Sequence, residues 1–535
     1  MTQLVVGPLL RHVGPDTAAI WLETDQPCDV RVLDTTASTF TVHGHHYALV
    51  QIEGLAPGSD TEYEVALDGE TVWPEPGSPP SRIRIPAPGA TQRIAFGSCR
   101  VAPGVEEVHG PDVLGAFARR LADGHEWPDL LLMVGDQVYA DETGPEMRKF
   151  IEARRDTGEA PGIEIADYEE YTELYRLAWT DDAMVRWLLS TVPSLMVFDD
   201  HDIRDDWNTS ETWLRDIRAQ SWWHDRITGG LGAYWVYQHL GNMSAAKRAE
   251  DPVYREVLAA DGDAGRIVDE FAERADRQAD GTRWSYSHDY GRTRLVVVDS
   301  RCGRVLRDGR RSMLDDEELE WVQEQCRGDV DHLIVATSLP FLLPATIHHL
   351  ESFDEAIAGG VWGRRFARLG EKIRQGADLE HWAAFEASFH ALADTLLEVA
   401  RREDGPQSIT LLSGDVHYSY LARVAGTTTP ISQVVCSPMR NHLPLKYRLL
   451  QRAAYGRLTD GPARALARLA RVPRAPMTWR LSHGPWFDNA VATLVVDGST
   501  ASVRWEAAGP GRKLREVDHA SLSKLVEPRG TAQRN

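Results

Sequence analysis

Four short polar clusters each stand at the end of an apolar run. They are Gly97-Ser98-Cys99-Arg100 after RIAF, Gly135-Asp136-Gln137-Val138-Tyr139 after LLLMV, Asp199-Asp200-His201-Asp202 after PSLMVF, and Ser413-Gly414-Asp415-Val416-His417 after SITLL. A carboxylate leaving such a run is costly unless it is charge-compensated, hydrogen-bonded or metal-bound, and Asp136 leaves Leu131, Leu132, Met133 and Val134. Tyr139 follows three residues later, within reach of the same centre if the chain turns there. Asp199, Asp200, Asp202, Asp205 and Asp206 place five carboxylates within eight residues. They repel one another, and a polyvalent cation offsets them directly. Asp415 and His417, two apart, lie on one side of an extended chain. Taken singly, each cluster has a plainer reading: Cys99 as a small buried hydrophobe, Asp136 as a helix cap, the aspartates as a solvated loop, His417 as a structural histidine. Open α/β sheets place their ligands just beyond strand ends, and four such clusters together point to a polynuclear metal centre.

Carboxylates with an imidazole, a phenol and a thiolate make a mostly hard, anionic donor set, suited to trivalent iron, calcium or manganese. No CxxC or HExxH is present, which argues against structural zinc. Closely spaced cations provide what phosphoester hydrolysis needs: an activated water or hydroxide, clamped phosphoryl oxygens and a stabilised leaving oxygen. Arg301, after Asp299-Ser300, and Arg100 are expected to bind substrate by holding a phosphate bidentately. For both the alternative is an ion pair. Asp205, Asp206 and Asn208 are further oxygen donors for a calcium.

These clusters need an α/β framework. The solid apolar runs RIAF, DLLLMV, PSLMVF, RLVVVD, HLIVAT and SITLLS read as strands covered on both faces, with helical periodicity between them. Residues 1–88 instead alternate in polarity, as in TAAIWLET and TEYEVALDG, and predict a small all-β sandwich of fibronectin or immunoglobulin type. Within it Tyr63 is expected to hydrogen-bond back across a loop closed by Pro57 and Gly58. A proline-rich linker between Trp73 and Gly89 leads into a catalytic region over 89–510. That region carries a helix-rich, tryptophan-rich insertion over about 143–290 and closes on a hairpin near 491–509, before a polar tail over 511–535. Between Arg440 and Arg480, ten Lys/Arg stand against one acid, Asp460, with leucines interleaved, so that amphipathic basic helices are expected there.

The chain has 535 residues and a formal charge of −22. Its pI near 5.3 opposes a global attraction to nucleic acid, which Lys and Arg dominate. No apolar stretch is long enough to span a membrane, and the start lacks a leader pattern. Five scattered cysteines do not make a disulfide framework. A cytoplasmic location is expected.

The succession SCR, GDQVYAD, DDHD and GDVH resembles the PhoD-like (alkaline phosphatase D) branch of the calcineurin-like metallophosphatases, over about Arg93 to Trp505. The resemblance implies a four-layer αββα sandwich behind the small β-domain, and a centre of Fe³⁺ with Ca²⁺, Mn²⁺ or another divalent cation being the alternative. It implies Cys99, Asp136, Tyr139, Asp200, Asp415 and His417 as metal ligands, with Asp136 bridging. Cys99, Asp200 and Asp415 depart from the wider superfamily in ways that mark this branch and argue against di-zinc. His201 then corresponds to a general acid or transition-state stabiliser beside the metals, with Asp202 to orient it. The expected function is metal-dependent hydrolysis of small or polymeric phosphate esters, with phosphodiesters preferred. Two alternatives stay open: phospholipase-like action at anionic lipid surfaces, with weak membrane contact through 440–480, and a catalytically silent binding protein of the same fold.

Overall fold

The computed structural model describes residues 2–307, 309–444, 448, 457–509 and 513–523. The N-terminal region is all β: β1 (Leu4–Val13), β2 (Ala18–Thr24), β3 (Asp29–Val32), β4 (Thr35–Ser38), β5 (Phe40–Val42), β6 (His45–Ile52), β7 (Asp60–Tyr63), β8 (Val65–Leu67), β9 (Glu70–Trp73) and β10 (Ser81–Arg84). These pair in the orders β1-β2-β6-β5, β4-β3-β8-β9 and β10-β7. The alternating side chains seen in the sequence close on one core that includes Ile20, Leu22, Val30, Val50 and Trp73.

Beyond the linker come β11 (Gln92–Gly97), β12 (Leu130–Val134), β13 (Ser194–Val197), β14 (Tyr286–Tyr290), β15 (Thr293–Val298), β16 (Val305–Arg307), β17 (Arg310–Ser312), β18 (His332–Thr337), β19 (Ser408–Ser413), β20 (Ser419–Val424), β21 (Ile431–Val435), β22 (Trp479–Trp486), β23 (Ala490–Asp497), β24 (Thr500–Ala508) and β25 (Leu514–Ser521). Two large sheets result, ordered β13-β12-β11-β23-β24-β25 and β14-β15-β18-β19-β21-β20-β22, with β16 and β17 paired separately. In the first sheet β13, β12 and β11 run parallel and β23, β24 and β25 continue it antiparallel; in the second β15, β18, β19 and β21 run parallel, flanked by antiparallel β14 on one side and β20 and β22 on the other.

The solid apolar runs follow from burial on both faces. Leu130, Leu132 and Val134 of β12 face Val297, Ile334 and Leu412 of the second sheet in a core between the sheets. Leu131 and Met133 point the other way, into a core with α1 (Val113–Ala122), α2 (Tyr168–Thr180), α3 (Ala183–Thr191) and α4 (Trp223–Tyr234). On the far side α5 (Asp316–Cys326) and α8 (Glu386–Arg401) cover Val296, Val335 and Leu411, with α6 (Ala345–Ala358) and α7 (Arg364–Gly376) between them in the chain. The layers are therefore α, β, β, α.

Two expectations are corrected. Tyr63 does not close its own loop; its hydroxyl donates to the Ser190 carbonyl on α3 at 2.5 Å. Arg11 of β1 is likewise fully buried, and donates to the Gln238 carbonyl at 2.7 Å and to Asn242 Oδ1 at 3.1 Å, so the β-domain is keyed into the helical insertion. Residues 514–521, expected to be tail, form the edge strand β25. Of the basic segment 440–480, residues 445–447 and 449–456 lie outside the described residues; α9 (Arg457–Leu469) follows them. Among the described residues no helix is long and apolar enough to cross a membrane.

Candidate metal centre

Cys99, Asp136, Asp199 and Asp415 each stand two residues past the end of a strand, β11, β12, β13 and β19 respectively. The parallel neighbours β11, β12 and β13, with β19 of the facing sheet, thus deliver them to one rim. Three of the four, with His417, hold left-handed backbone conformations that non-glycine residues rarely adopt: φ is 54° at Cys99 and Asp136, 64° at Asp415 and 57° at His417. Such conformations cluster where function requires a side chain to be aimed. Two glycines make the convergence possible. A Cβ on Gly135, itself at φ 101°, would lie 2.7 Å from Asp199 Cβ, and one on Gly414 would lie 2.0 Å from Ser98 Oγ.

Oxygens of Asp136, Asp199, Asp200 and Asp415 lie within 4.8 Å of one another, and Asp136 and Asp200 form a similar group with His201. Asp136, Asp199 and Asp200 are almost fully buried. One oxygen of each, Asp136 Oδ1, Asp199 Oδ2 and Asp200 Oδ1, has no hydrogen-bond partner. Burial, reinforced by the neighbouring carboxylates, pushes Asp136 and Asp199 well above the carboxylate range and raises Asp200. Orphaned, buried, mutually repelling carboxylate oxygens are what bound cations satisfy, so the residues fit a metal centre.

Cys99 Sγ lies 3.3 Å from Asp136 Oδ2, and Tyr139 Oη lies 3.4 Å from the same oxygen. The thiol and phenol therefore converge on Asp136. Asn441 Nδ2 donates to the Tyr139 oxygen at 3.1 Å, and Ser437 Oγ donates to the Cys99 sulfur at 3.3 Å. His417 sits at the half-open side next to Asp415, outside the tightest carboxylate group. Burial depresses it to about 4, so it stands neutral, the form that binds metal. Asp206 Oδ1 and Asn208 Oδ1 are buried without partners, both residues being at positive φ, whereas Asp205 is largely exposed.

His201 stacks on Tyr139, with ring centroids 4.5 Å apart. Its Nδ1 lies 2.9 Å from Asp141 Oδ1, so Asp141, and not Asp202, orients it. Asp202 instead accepts the backbone N–H groups of Asp136 and Asp199, each at 2.9 Å, and so ties two strand-end turns together. Burial lowers the His201 pKa, but Asp141 and Asp200 outweigh it and hold the imidazole well above its ordinary value.

Neither arginine opens toward substrate. Arg301 is fully buried; its Nε pairs with Asp199, its Nη1 with Glu380, and its Nη2 lies 3.1 Å from Asp200 Oδ1. It is a counter-cation beneath the carboxylates. Arg100 is also buried, with Nη2 2.7 Å from Asp112 and Nη1 donating to the Ala178 carbonyl at 2.6 Å. Arg440, counted within the basic segment, shares that Asp112 at 3.2 Å and is buried too. Asp112 is held down at about 2 because the two guanidinium groups outweigh its burial.

Sequence reasoning missed a second support. His381 Nε2 lies 2.9 Å from Asp415 Oδ2, and its Nδ1 lies 2.8 Å from Glu351 Oε1, a clamp that aims Asp415. Glu380 and His381 follow a helix, with no strand-end signature to mark them. Asp199 was visible within its cluster but had no separate role.

Residues 1–85 match the family model of a domain of unknown function (DUF7800), and residues 110–459 match that of the PhoD-like phosphatases. The fold is similar to the solved structure of PhoD (TM-score 0.60, 13% identity, covering 96% of this chain and 92% of that one). It is also similar to purple acid phosphatase PPD1 from yellow lupin (Lupinus luteus) seeds (TM-score 0.50, 12% identity, 96% of this chain and 73% of that one). No curated protein matches the chain. With its model matched over most of the length and its clusters gathered on one rim, the chain belongs to the PhoD-like phosphatase family.

Proposed function

We propose that this chain is a phosphoric ester hydrolase that prefers phosphodiesters, working at a centre that holds iron and calcium. The observation that carries the reading is the close group of Asp136, Asp199, Asp200 and Asp415, the first three buried, in which Asp136 Oδ1 and Asp199 Oδ2 have no hydrogen-bond partner and Asp200 Oδ1 meets only the Arg301 guanidinium. Asp136, Asp200, Asp415, Cys99, Tyr139 and His417 would hold the cations, and Asp206 and Asn208 offer oxygens to a calcium. When bound, the cations supply Lewis acidity toward the phosphoryl oxygens and lower the pKa of bound water.

The chain's own residues do the rest. His201 is partly open to solvent, 22% exposed, and is fixed through Nδ1 by Asp141, which leaves Nε2 as the proton-donating atom toward a leaving oxygen. Arg301 contributes as a fixed positive charge that holds Glu380 ionised and opposes, without cancelling, the rise that burial imposes on Asp199 and Asp200. His381 and Glu351 hold Asp415 at its angle.

Hydrolysis of bis-p-nitrophenyl phosphate beside the monoester, before and after chelation and re-addition of iron or calcium, tests this. Diester cleavage that falls with chelation and returns with metal is expected. Failure of fully metallated protein to cleave either ester overturns the reading.

A further inference from the structure

Exposed apolar side chains are ordinary when scattered singly. Here they are gathered. Val361 (46% exposed), Trp362 (37%), Phe366 (48%), Leu369 (52%) and Ile373 (45%) occupy α7 and its lead-in. Phe366, Leu369 and Ile373 recur at i, i+3 and i+7, the spacing of one helix face. Loose docking does not explain this, because the flank of α7 next to the stripe is fixed. Gly370 and Arg374 are buried there, and Arg374 pairs with Glu355 at 2.7 Å and Glu371 at 2.8 Å.

Beside the apolar stripe stand Arg364, Arg365, Arg368 and Lys372, all exposed. Among the described residues none of the four forms an ion pair, although the chain carries 80 acids against 58 bases. The surface also extends sideways. α6 packs against both α7 and α9, and it bears Leu350 (40% exposed), while α9 bears Leu466 (37%) and Leu469 (67%).

A helix that turns aromatic and aliphatic side chains outward, with unpaired cations alongside, matches the headgroup–acyl boundary of an anionic bilayer. The apolar stripe enters that boundary, and the cations meet lipid phosphates. We propose that α7 is a membrane-surface anchor, with Trp362, Phe366, Leu369 and Ile373 in the boundary and Arg365, Arg368 and Lys372 against anionic headgroups. The anchor does not depend on the hydrolytic reading, but it is joined closely to the centre. Four residues beyond the end of α7, Glu380 pairs with Arg301, and His381 follows it to clamp Asp415.

The test is co-sedimentation of the full chain with phosphatidylcholine vesicles, with and without phosphatidylserine, across a salt series. Binding should require phosphatidylserine and weaken as salt rises. The triple variant Arg365→Gln/Arg368→Gln/Lys372→Gln should bind about 10²-fold more weakly, at roughly fivefold per cation. Phe366→Ser/Leu369→Ser should also lose most binding. Because all five side chains are exposed, both variants should keep the wild-type melting temperature, which separates lost docking from lost folding. Wild-type protein that ignores phosphatidylserine, or folded variants that bind undiminished, would overturn the proposal. So would a concentration-dependent dimer that Phe366→Ser/Leu369→Ser abolishes, since the occupant would then be a second copy of the chain.

Discussion

Asp141 Oδ1 lies 2.9 Å from His201 Nδ1 and fixes the ring in one orientation, although the two residues are 60 positions apart. Removing the imidazole and removing its orienter should therefore differ. His201→Ala should keep its metals but lose turnover by about 10²–10⁴-fold. Asp141→Asn should lose less, and should shift the pH–rate profile with metal content unchanged. Metal analysis beside kcat measurements checks both, and undiminished turnover in His201→Ala would remove this histidine from the reaction.

Asp136 is the residue on which Cys99, Tyr139 and the carboxylate group all converge. Asp136→Asn is expected to lose both metal retention and activity. Its metal-free form should melt no lower than metal-free wild type, because a buried, repelled charge has been removed. Elemental analysis and thermal melts after chelation read the two effects separately; full metal and full activity in the variant would refute the role.

Arg301 and Arg100 are both buried cations, but only the first touches the carboxylate group. Taking one partner from a buried pair destabilises by about 3–5 kcal/mol. Both Arg301→Met and Arg100→Met should thus lower the melting temperature. Only Arg301→Met should also lower metal content. For Arg100→Met, KM on a soluble ester should stay put, and a large rise in KM would restore Arg100 as a substrate contact.

His45 joins the β-domain to the helical insertion, with Nδ1 2.8 Å from Glu23 and Nε2 2.9 Å from Glu169 on α2. Burial pulls its pKa down, but the two carboxylates outweigh burial and set it at about 9 against 6.5. A histidine raised in the folded state stabilises most below about pH 6.5, and that contribution fades as the pH climbs through about 9. His45→Gln should accordingly cost about 1–3 kcal/mol at pH 6 and little at pH 10. Denaturant melts at the two pH values decide it, and an equal penalty at both would mean that the contact is not ionic.

The parts of this protein that were legible in its sequence are those whose signal is local. Apolar runs such as LLLMV, followed at once by Gly-Asp, announced buried strands with polar turns, and the residues two past those strands proved to share a rim. The partners of those residues were not legible, because they come from distant segments in ordinary surroundings. Nothing in DLEHW marks Glu380 as the counterion of Arg301, or His381 as the clamp on Asp415. Tyr63 shows the same limit: its place at a strand corner was readable, but its acceptor, Ser190, belongs to another domain. The outward stripe on α7 is not legible in the sequence, because a helix whose apolar face turns outward has the same periodicity as one whose apolar face turns in.

The left-handed conformations at Cys99, Asp136, Asp415 and His417 bear on how the centre can be dissected. Asparagine, aspartate and glycine enter that region readily, while alanine and β-branched residues do so at a penalty. An alanine scan across these positions would mix two quantities, the missing donor atom and a turn that no longer wants its shape. Glycine at the same positions keeps the turn and removes the donor, and asparagine keeps the turn while putting a neutral amide where the thiolate, carboxylate or imidazole stood, so the choice of replacement decides whether such an experiment measures coordination or folding.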